Sequence, residues 1–211
     1  MIALYHASGT RSHLVRFCLE ELGLAHEVRR IDASKGEHKS PEYLRVNPHG
    51  QLPALVDGDN TLRECAAICM HLTDRVPASE LAPAVGSVER GLYYQWCLYA
   101  IATELIPLTK IALHTRFFPP EMRSEATAEE GRRQWVEVAR VLSDALSGRS
   151  WLLGDRFTTA DVLVGGSLWL ASFVGVLAPH AELVRYYGRV RERPAFQRAF
   201  GDAPPASKEE S

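Results

Sequence analysis

The stretch Asn47-Pro48-His49-Gly50-Gln51-Leu52-Pro53-Ala54-Leu55 decides how the first part of the chain folds. Asn47 to Gly50 collects residue types that favour a turn: asparagine and glycine tolerate turn conformations, and Pro48 fixes its own φ. Pro53 to Val56 reads as a strand, with proline at its start, where a missing N–H is tolerated. An X-Pro bond has a cis form within reach. A cis Leu52-Pro53 bond would turn the Leu52 backbone outward, free to pair with a peptide ligand; an edge strand that merely begins with proline is the simpler alternative. Asp57-Gly58-Asp59-Asn60 then reads as a tight hairpin loop, and Thr61–Arg63 as the returning strand.

Upstream, Ile2–Tyr5 is a short strand. Leu14, Val15, Cys18, Leu19 and Leu22 repeat at helical spacing, and Gly23 closes that helix. Glu27–Ile31 is a second strand, and Ser40-Pro41-Glu42 opens a short helix, proline being favoured in a first turn. Downstream of the hairpin, Ala66 to Leu72 is helical. The order is βαβ, short helix, hairpin, helix. Val76 to Ser87, with Pro77, Pro83 and Gly86, reads as a linker. Beyond it the chain is helical. Leu92, Trp96, Tyr99 and Ala100 share a face, and Pro107 is expected to kink or end that helix. Phe117-Phe118-Pro119-Pro120 breaks the pattern, and Trp135, Val138, Leu142 and Leu146 mark another amphipathic helix. Thr158 with Asp161 has capping-box spacing, with Asp in place of Glu, ahead of an apolar stretch. The expected organisation is an α/β domain over 1–75, a linker over 76–87, an all-helical domain over 88–200 and a flexible tail over 201–211.

The whole chain has 211 residues, 46% of them hydrophobic and 24% charged, which excludes disorder as its main state. Its net charge of -2 carries no basic excess of the kind that grips nucleic acid or an anionic membrane. Met1 to His6 has no preceding basic region and no long apolar core, so it reads as a strand rather than a signal peptide. Val162 to Ala181 is uncharged and about long enough to span a bilayer, but Gly165, Gly166, Ser167, Ser172 and Gly175 interrupt it, so it reads as a buried core helix. A cytoplasmic location follows as an expectation. Cys18, Cys65, Cys69 and Cys97 form no CxxC pair. Cys65 and Cys69 sit i, i+4 near His71, but further ligands are missing, so no metal is expected.

Ser8-Gly9-Thr10-Arg11-Ser12 lies between the first strand and the first helix. A loop feeding a helix N-terminus collects unpaired N–H groups and the positive end of the dipole, which suits an anion, including a thiolate. Plain helix capping by Ser12 or Thr10 explains the same residues without a function.

Three segments together resemble the cytosolic glutathione transferases, and most nearly the bacterial, theta-like, serine-type members. They are LYHASGTRSHLVRFCLEELGL, SKGEHKSPEYLRVNPHGQLPALVDGDNTLRECAAICMHL and FTTADVLVG. The resemblance implies an α/β thioredoxin-like N-terminal domain with a cis proline at Pro53, and an all-α C-terminal domain. It implies glutathione as co-substrate, its cysteinyl backbone on Leu52, its γ-glutamyl end at Glu64 and the following residue, and its glycyl end near His38 and Gln51. A carboxylate suits the cationic γ-glutamyl amine. The position after Glu64 is commonly serine in the family and is Cys65 here. The thiol-activating hydroxyl falls on Ser12, with Thr10 the close rival and Tyr5 a minor one. Arg11 stands where beta-class members place cysteine, so a cysteine-type oxidoreductase is not expected; Arg11 would add positive potential. Tyr93, Trp96, Tyr99, Leu113 and Phe117 are candidates for an apolar pocket for a small hydrophobic electrophile. A homodimer is expected. A glutathione-dependent peroxidase, dehalogenase or isomerase, or a non-catalytic binding protein on the same fold, stands as the alternative.

Overall fold

Ile2 and Leu4 of β1 (Ile2–His6) alternate onto one face of a sheet and are buried there, with His6 on the same face. β1 is central. The strand order is β2-β1-β3-β4, with β2 (His26–Arg30) parallel to β1, and with β3 (Ala54–Asp57) and β4 (Asn60–Arg63) antiparallel. In this computed structural model, residues 1–205 are described. Helix α1 (Ser12–Glu21) makes the crossover between β1 and β2 and buries Leu14, Val15, Phe17, Cys18 and Leu19. It ends because Gly23 takes φ +62°, which lets the Leu24 N–H reach back to the Leu19 carbonyl at 3.1 Å. Helix α2 (Pro41–Val46) is capped by Ser40 and carries Pro41 at its first position. Helix α3 (Cys65–Asp74) follows the hairpin directly.

The chain divides into two units. One comprises Met1–Ala82 with Arg193–Pro204, and the other contains Pro83–Glu192. The division falls inside the stretch read as a linker. The end of the chain departs from expectation: α9 (Pro194–Phe200) belongs with the α/β unit, not with the helical one. Its Phe196 packs edge-on against Phe17 of α1 at 5.4 Å, and Arg193 makes a two-pronged ion pair with Glu21 at 2.6 and 2.7 Å. Of the stretch 201–211 expected to be a flexible tail, residues 201–204 belong to that same unit, and 206–211 lie outside the described residues.

The helical unit contains α4 (Val88–Tyr99), α5 (Leu105–Ala112), α6 (Glu125–Leu146), α7 (Thr159–Phe173) and α8 (Ala181–Arg191). Pro107 does not end its helix. A proline ring crowds the carbonyl four residues back, here that of Thr103, and that carbonyl lies in a π turn, Ala100–Glu104, which widens the ladder there. A second π turn, Leu113–Phe117, closes the same run. Val88–Phe117 is therefore one helical run, long and apolar enough by length and composition to span a bilayer, with half of its most apolar window buried.

Helix α7 is the core of this unit, buried from Thr159 through Leu168. Asp161 starts it. Its carboxylate accepts from the Thr158 N–H and hydroxyl, the Leu152 N–H and the Tyr186 hydroxyl, at 2.9 to 3.1 Å. The capping box is thus complete and also ties down a loop and α8. Asp161→Ala strands several buried donors at once. A loss on the order of 3 kcal/mol is expected, read as a lower denaturant midpoint at unchanged m.

Candidate functional site

The sheet register fixes where chemistry can assemble. Tyr5 pairs with Ala54, the first residue of β3, and Ala54 pairs with Arg63, the last of β4. Three connections therefore emerge at one end of the sheet: Ala7–Arg11 after β1, Leu52-Pro53 before β3, and Glu64-Cys65 after β4. The Cys65 thiol donates to the Arg11 carbonyl at 3.6 Å, which joins the first connection to the third.

Leu52-Pro53 is cis. Leu52 lies outside the β ladder and is half-buried, and its backbone N–H and C=O take no hydrogen bond from any described residue. The neighbouring turn is held firmly, since the Tyr43 hydroxyl and the Asn47 side-chain amide both donate to the Gln51 carbonyl at 2.7 Å. Gly50 sits at φ +58°, and a Cβ there would meet the His38 carbonyl at 2.6 Å. That close approach sets His38 beside the Gly50-Gln51 turn. His38 Nδ1 is buried and has no hydrogen-bond partner among the described residues, whereas the Gln51 side chain is exposed.

Glu64 precedes α3 at φ +69°, ψ 114°, a conformation that glycine accepts and other residues resist, and it makes no side-chain cap. The first N–H groups of α3, starting with Cys65, are left unpaired among the described residues, at the positive end of a ten-residue helix. Cys65 itself is 3% exposed, so what it offers outward is its N–H rather than its thiol. Among the described residues, no group able to hold a metal ion includes Cys65, Cys69 or His71. Cys69 faces the Leu14 carbonyl, and His71 pairs with Asp57 at 3.0 Å.

The β1–α1 loop differs from expectation. Ser12 is 0% exposed. Its hydroxyl oxygen lies 2.8 Å from His6 Nδ1, 2.6 Å from Thr10 Oγ1 and 3.2 Å from the Ala7 carbonyl, and it accepts from the Ala7 N–H at 3.3 Å. A hydroxyl has one proton and two lone pairs, so this one is fully committed inside the fold. Thr10 stands outside it, partly exposed, and its hydroxyl reaches the Ala7 carbonyl at 2.8 Å. The Thr10 and Arg11 N–H groups have no partner among the described residues, and Arg11 is exposed. Tyr5 points to the opposite face of the sheet, where its ring meets Tyr43 edge-on and its hydroxyl accepts from Arg29 at 3.0 Å. Strand alternation explains the difference from His6 next door.

His6, His13 and Asp202 were not singled out by the sequence. Each brings a ligand-type atom within 4.8 Å of the others. Arg16 and Arg30 already pair with the Asp202 carboxylate, and His13 spends Nδ1 on the Ala199 carbonyl and Nε2 on the Gly9 N–H. The cluster is a closed hydrogen-bond network rather than an open cation site. Burial, with His13 alongside, pushes the His6 imidazole down to about 4. Burial alone would raise the Asp202 carboxyl, but the Arg30 hydrogen bond and the neighbouring His6, His13 and Arg16 hold it at about 2. A histidine two residues along the strand from Leu4, on the same buried face, was the available signal for His6.

In the helical unit, Tyr93 is fully buried beneath the Arg90 guanidinium, and Trp96 is buried edge-on to Tyr99 at 5.2 Å. Tyr99 and Leu113 are partly exposed. Phe117 is exposed and stacks on Phe173 at 5.7 Å.

Residues 1–74 match the family model described as Glutathione S-transferase, N-terminal domain, and residues 105–194 match Glutathione S-transferase, C-terminal domain. The chain is 33% identical to the probable glutathione S-transferase GSTF2 of Oryza sativa subsp. japonica, over 82% of this chain and 80% of that one. It is 31% identical to glutathione S-transferase GstA of Escherichia coli O157:H7, over 93% and 96%. The crystal structure of glutathione transferase URE2P6 from Phanerochaete chrysosporium, in complex with oxidised glutathione, superposes with a TM-score of 0.86 at 28% identity, covering 95% of this chain and 94% of that one. The strained residue gives a test independent of any ligand. Glycine relieves the positive φ at position 64 and alanine does not, so Glu64→Gly is expected to exceed Glu64→Ala in stability by on the order of 1 kcal/mol in chemical denaturation.

Proposed function

This chain belongs to the glutathione S-transferase family, and from that premise we propose how it handles its two substrates. It is an enzyme that takes glutathione as co-substrate. On our reading, the sulfur sits against the β1–α1 loop, facing the N–H groups of Thr10 and Arg11, while the Thr10 hydroxyl is turned inward to Ser12 and the Ala7 carbonyl and holds the loop in place. The cysteinyl backbone of glutathione pairs with Leu52. The γ-glutamyl amine meets Glu64, and its carboxylate meets the N–H groups that open α3 at Cys65. The glycyl carboxylate lies toward His38 and Gln51. The observation that carries this is a coincidence: at one end of one sheet, Leu52, Thr10, Arg11 and Cys65 all keep backbone donors unpaired among the described residues. Unpaired donors are rare in a folded chain and suit a ligand that is itself a peptide with carboxylates.

The chemistry follows from the thiol. A free thiol has a pKa near 8.5 and is only a few per cent ionised at neutral pH. Hydrogen bonds to the charged form, close to a helix N-terminus and to the Arg11 cation, favour the thiolate. The thiolate then attacks the electrophile, and the leaving group departs with the bonding pair. Ser12 supports Thr10 from behind rather than touching sulfur. Arg11 supplies potential. We take the second substrate to be a small hydrophobic electrophile, with Tyr99, Leu113 and Phe117 the more accessible candidates to contact it, and Tyr93 and Trp96 backing them.

Loss of one hydrogen bond to a charged sulfur costs about 1.5–3 kcal/mol, or roughly ten- to a hundredfold. Thr10→Ala unties the loop from Ser12 and lets its outward N–H groups drift from the sulfur, so it is expected to lower turnover of an aryl halide by about the lower end of that range and to raise the pKa of bound glutathione by about one unit, read from thiolate absorbance against pH. Ser12→Ala is expected to shift that pKa less and to lower the melting temperature more. The opposite ranking would return the role to Ser12. The remaining part of the reading is a cytoplasmic homodimer. Sedimentation equilibrium is expected to give twice the chain mass of 23.5 kDa, and a monomer mass at micromolar concentration would remove the dimer.

A further inference from the structure

We propose that Asp202, in the segment that follows α9, is a positioning residue for the sulfur-binding loop: it locks His6, His6 fixes Ser12, and Ser12 fixes Thr10. The inference rests on the reading that this loop holds the sulfur.

The proton directions can be worked out. Asp202 is a carboxylate, able only to accept, and its Oδ2 lies 3.4 Å from His6 Nε2. His6 therefore carries its proton on Nε2, and Nδ1 is left as an acceptor. Among the described residues, the donor at Nδ1 is the Ser12 hydroxyl, at 2.8 Å. Its proton is thus drawn inward, and its oxygen accepts from the Ala7 N–H and, at 2.6 Å, from the Thr10 hydroxyl, which leaves the Thr10 and Arg11 N–H groups as the donors facing outward. The Thr10 oxygen in turn accepts from the Ser12 N–H at 3.3 Å. Each link leaves the next with one role.

The same segment grips the loop a second time. The Ser8 hydroxyl donates to the Asp202 carbonyl at 2.5 Å, and Pro204 lies over Gly9, where an added Cβ would meet it at 3.5 Å. Gly9 itself donates to His13 Nε2, and His13 Nδ1 donates to the Ala199 carbonyl at the end of α9. Arg16 at 3.1 Å and Arg30 at 2.7 Å hold the carboxylate in place. The chain end thus fixes Ser8, Gly9 and, through two side chains, Thr10. Donors that are already in position when charge forms on sulfur stabilise it most.

Two measurements test this. In the intact protein, nitrogen-15 NMR of the histidine rings is expected to show His6 as the neutral Nε2–H tautomer at neutral pH; the Nδ1–H tautomer, or an imidazolium, would overturn the proposal without any variant. Second, Asp202→Ala is expected to raise the pKa of bound glutathione by about one unit, a tenfold change in thiolate stability, and to lower kcat about as much with KM for glutathione nearly unchanged. The sign is diagnostic. Deleting a negative charge and freeing Arg16 and Arg30 would, by charge alone, lower the thiol pKa, so a fall overturns the positioning role. A rise in Thr10→Ala with none in Asp202→Ala overturns the role of Asp202 alone. No rise in either overturns the loop reading as well.

Discussion

The antiparallel pairing of β1 with β3 is the constraint on which the α/β unit depends. Because Tyr5 faces Ala54 and Ala54 faces Arg63, the chain leaves the sheet three times at the same end. A one-residue slip would move those exits and would also turn Leu4 and His6 to the other face. Leu4 and Leu55, both fully buried, make such a slip costly. The core therefore fixes the register, and the register brings the loop, the proline-led strand and the helix start together.

Much of this was legible in the sequence because it is written in short-range chemistry. Gly23 stops a helix, Asp57-Gly58-Asp59-Asn60 turns a hairpin, and Thr158 with Asp161 starts a helix; each is a local rule about φ, donors or acceptors. The fold class and the Glu64-Cys65 junction followed from these plus the family resemblance. Pro107 misled for an instructive reason. The penalty for proline within a helix assumes an ordinary ladder, and the π turn just before it had already removed that penalty. Nothing in Ala100 to Glu104 announces a π turn. Nor does it announce that Glu104 is entirely buried, where burial pushes its carboxyl well above the ordinary range.

The choice between Ser12 and Thr10 shows where spacing stops being informative. Both hydroxyls lie within two residues at a helix start, and either could cap, accept or donate. What separates them is a third residue, His6, which reaches Ser12 only because β1 alternates its side chains toward α1. A hydroxyl that is the better match by position is thus the less available by burial.

The end of the chain carries the same lesson at longer range. Gly201 onward, with its prolines and its charged terminus, has the composition of a loose tail, and composition has no way to register that one carboxylate among those residues meets two arginines and two histidines more than 170 residues away in sequence. Those partners come from β1, α1 and the residue that ends β2, and no local pattern links them to Asp202. Yet the two guanidinium groups would be poor neighbours without it, since both point at one spot beside a pair of buried imidazoles. The carboxylate resolves that conflict, and in doing so draws the residues that follow α9 onto the β1–α1 loop. The near-neutral charge of the whole chain fits the proposed arrangement, in which a charge on bound sulfur would be met by groups a few ångströms away rather than by the field of the protein.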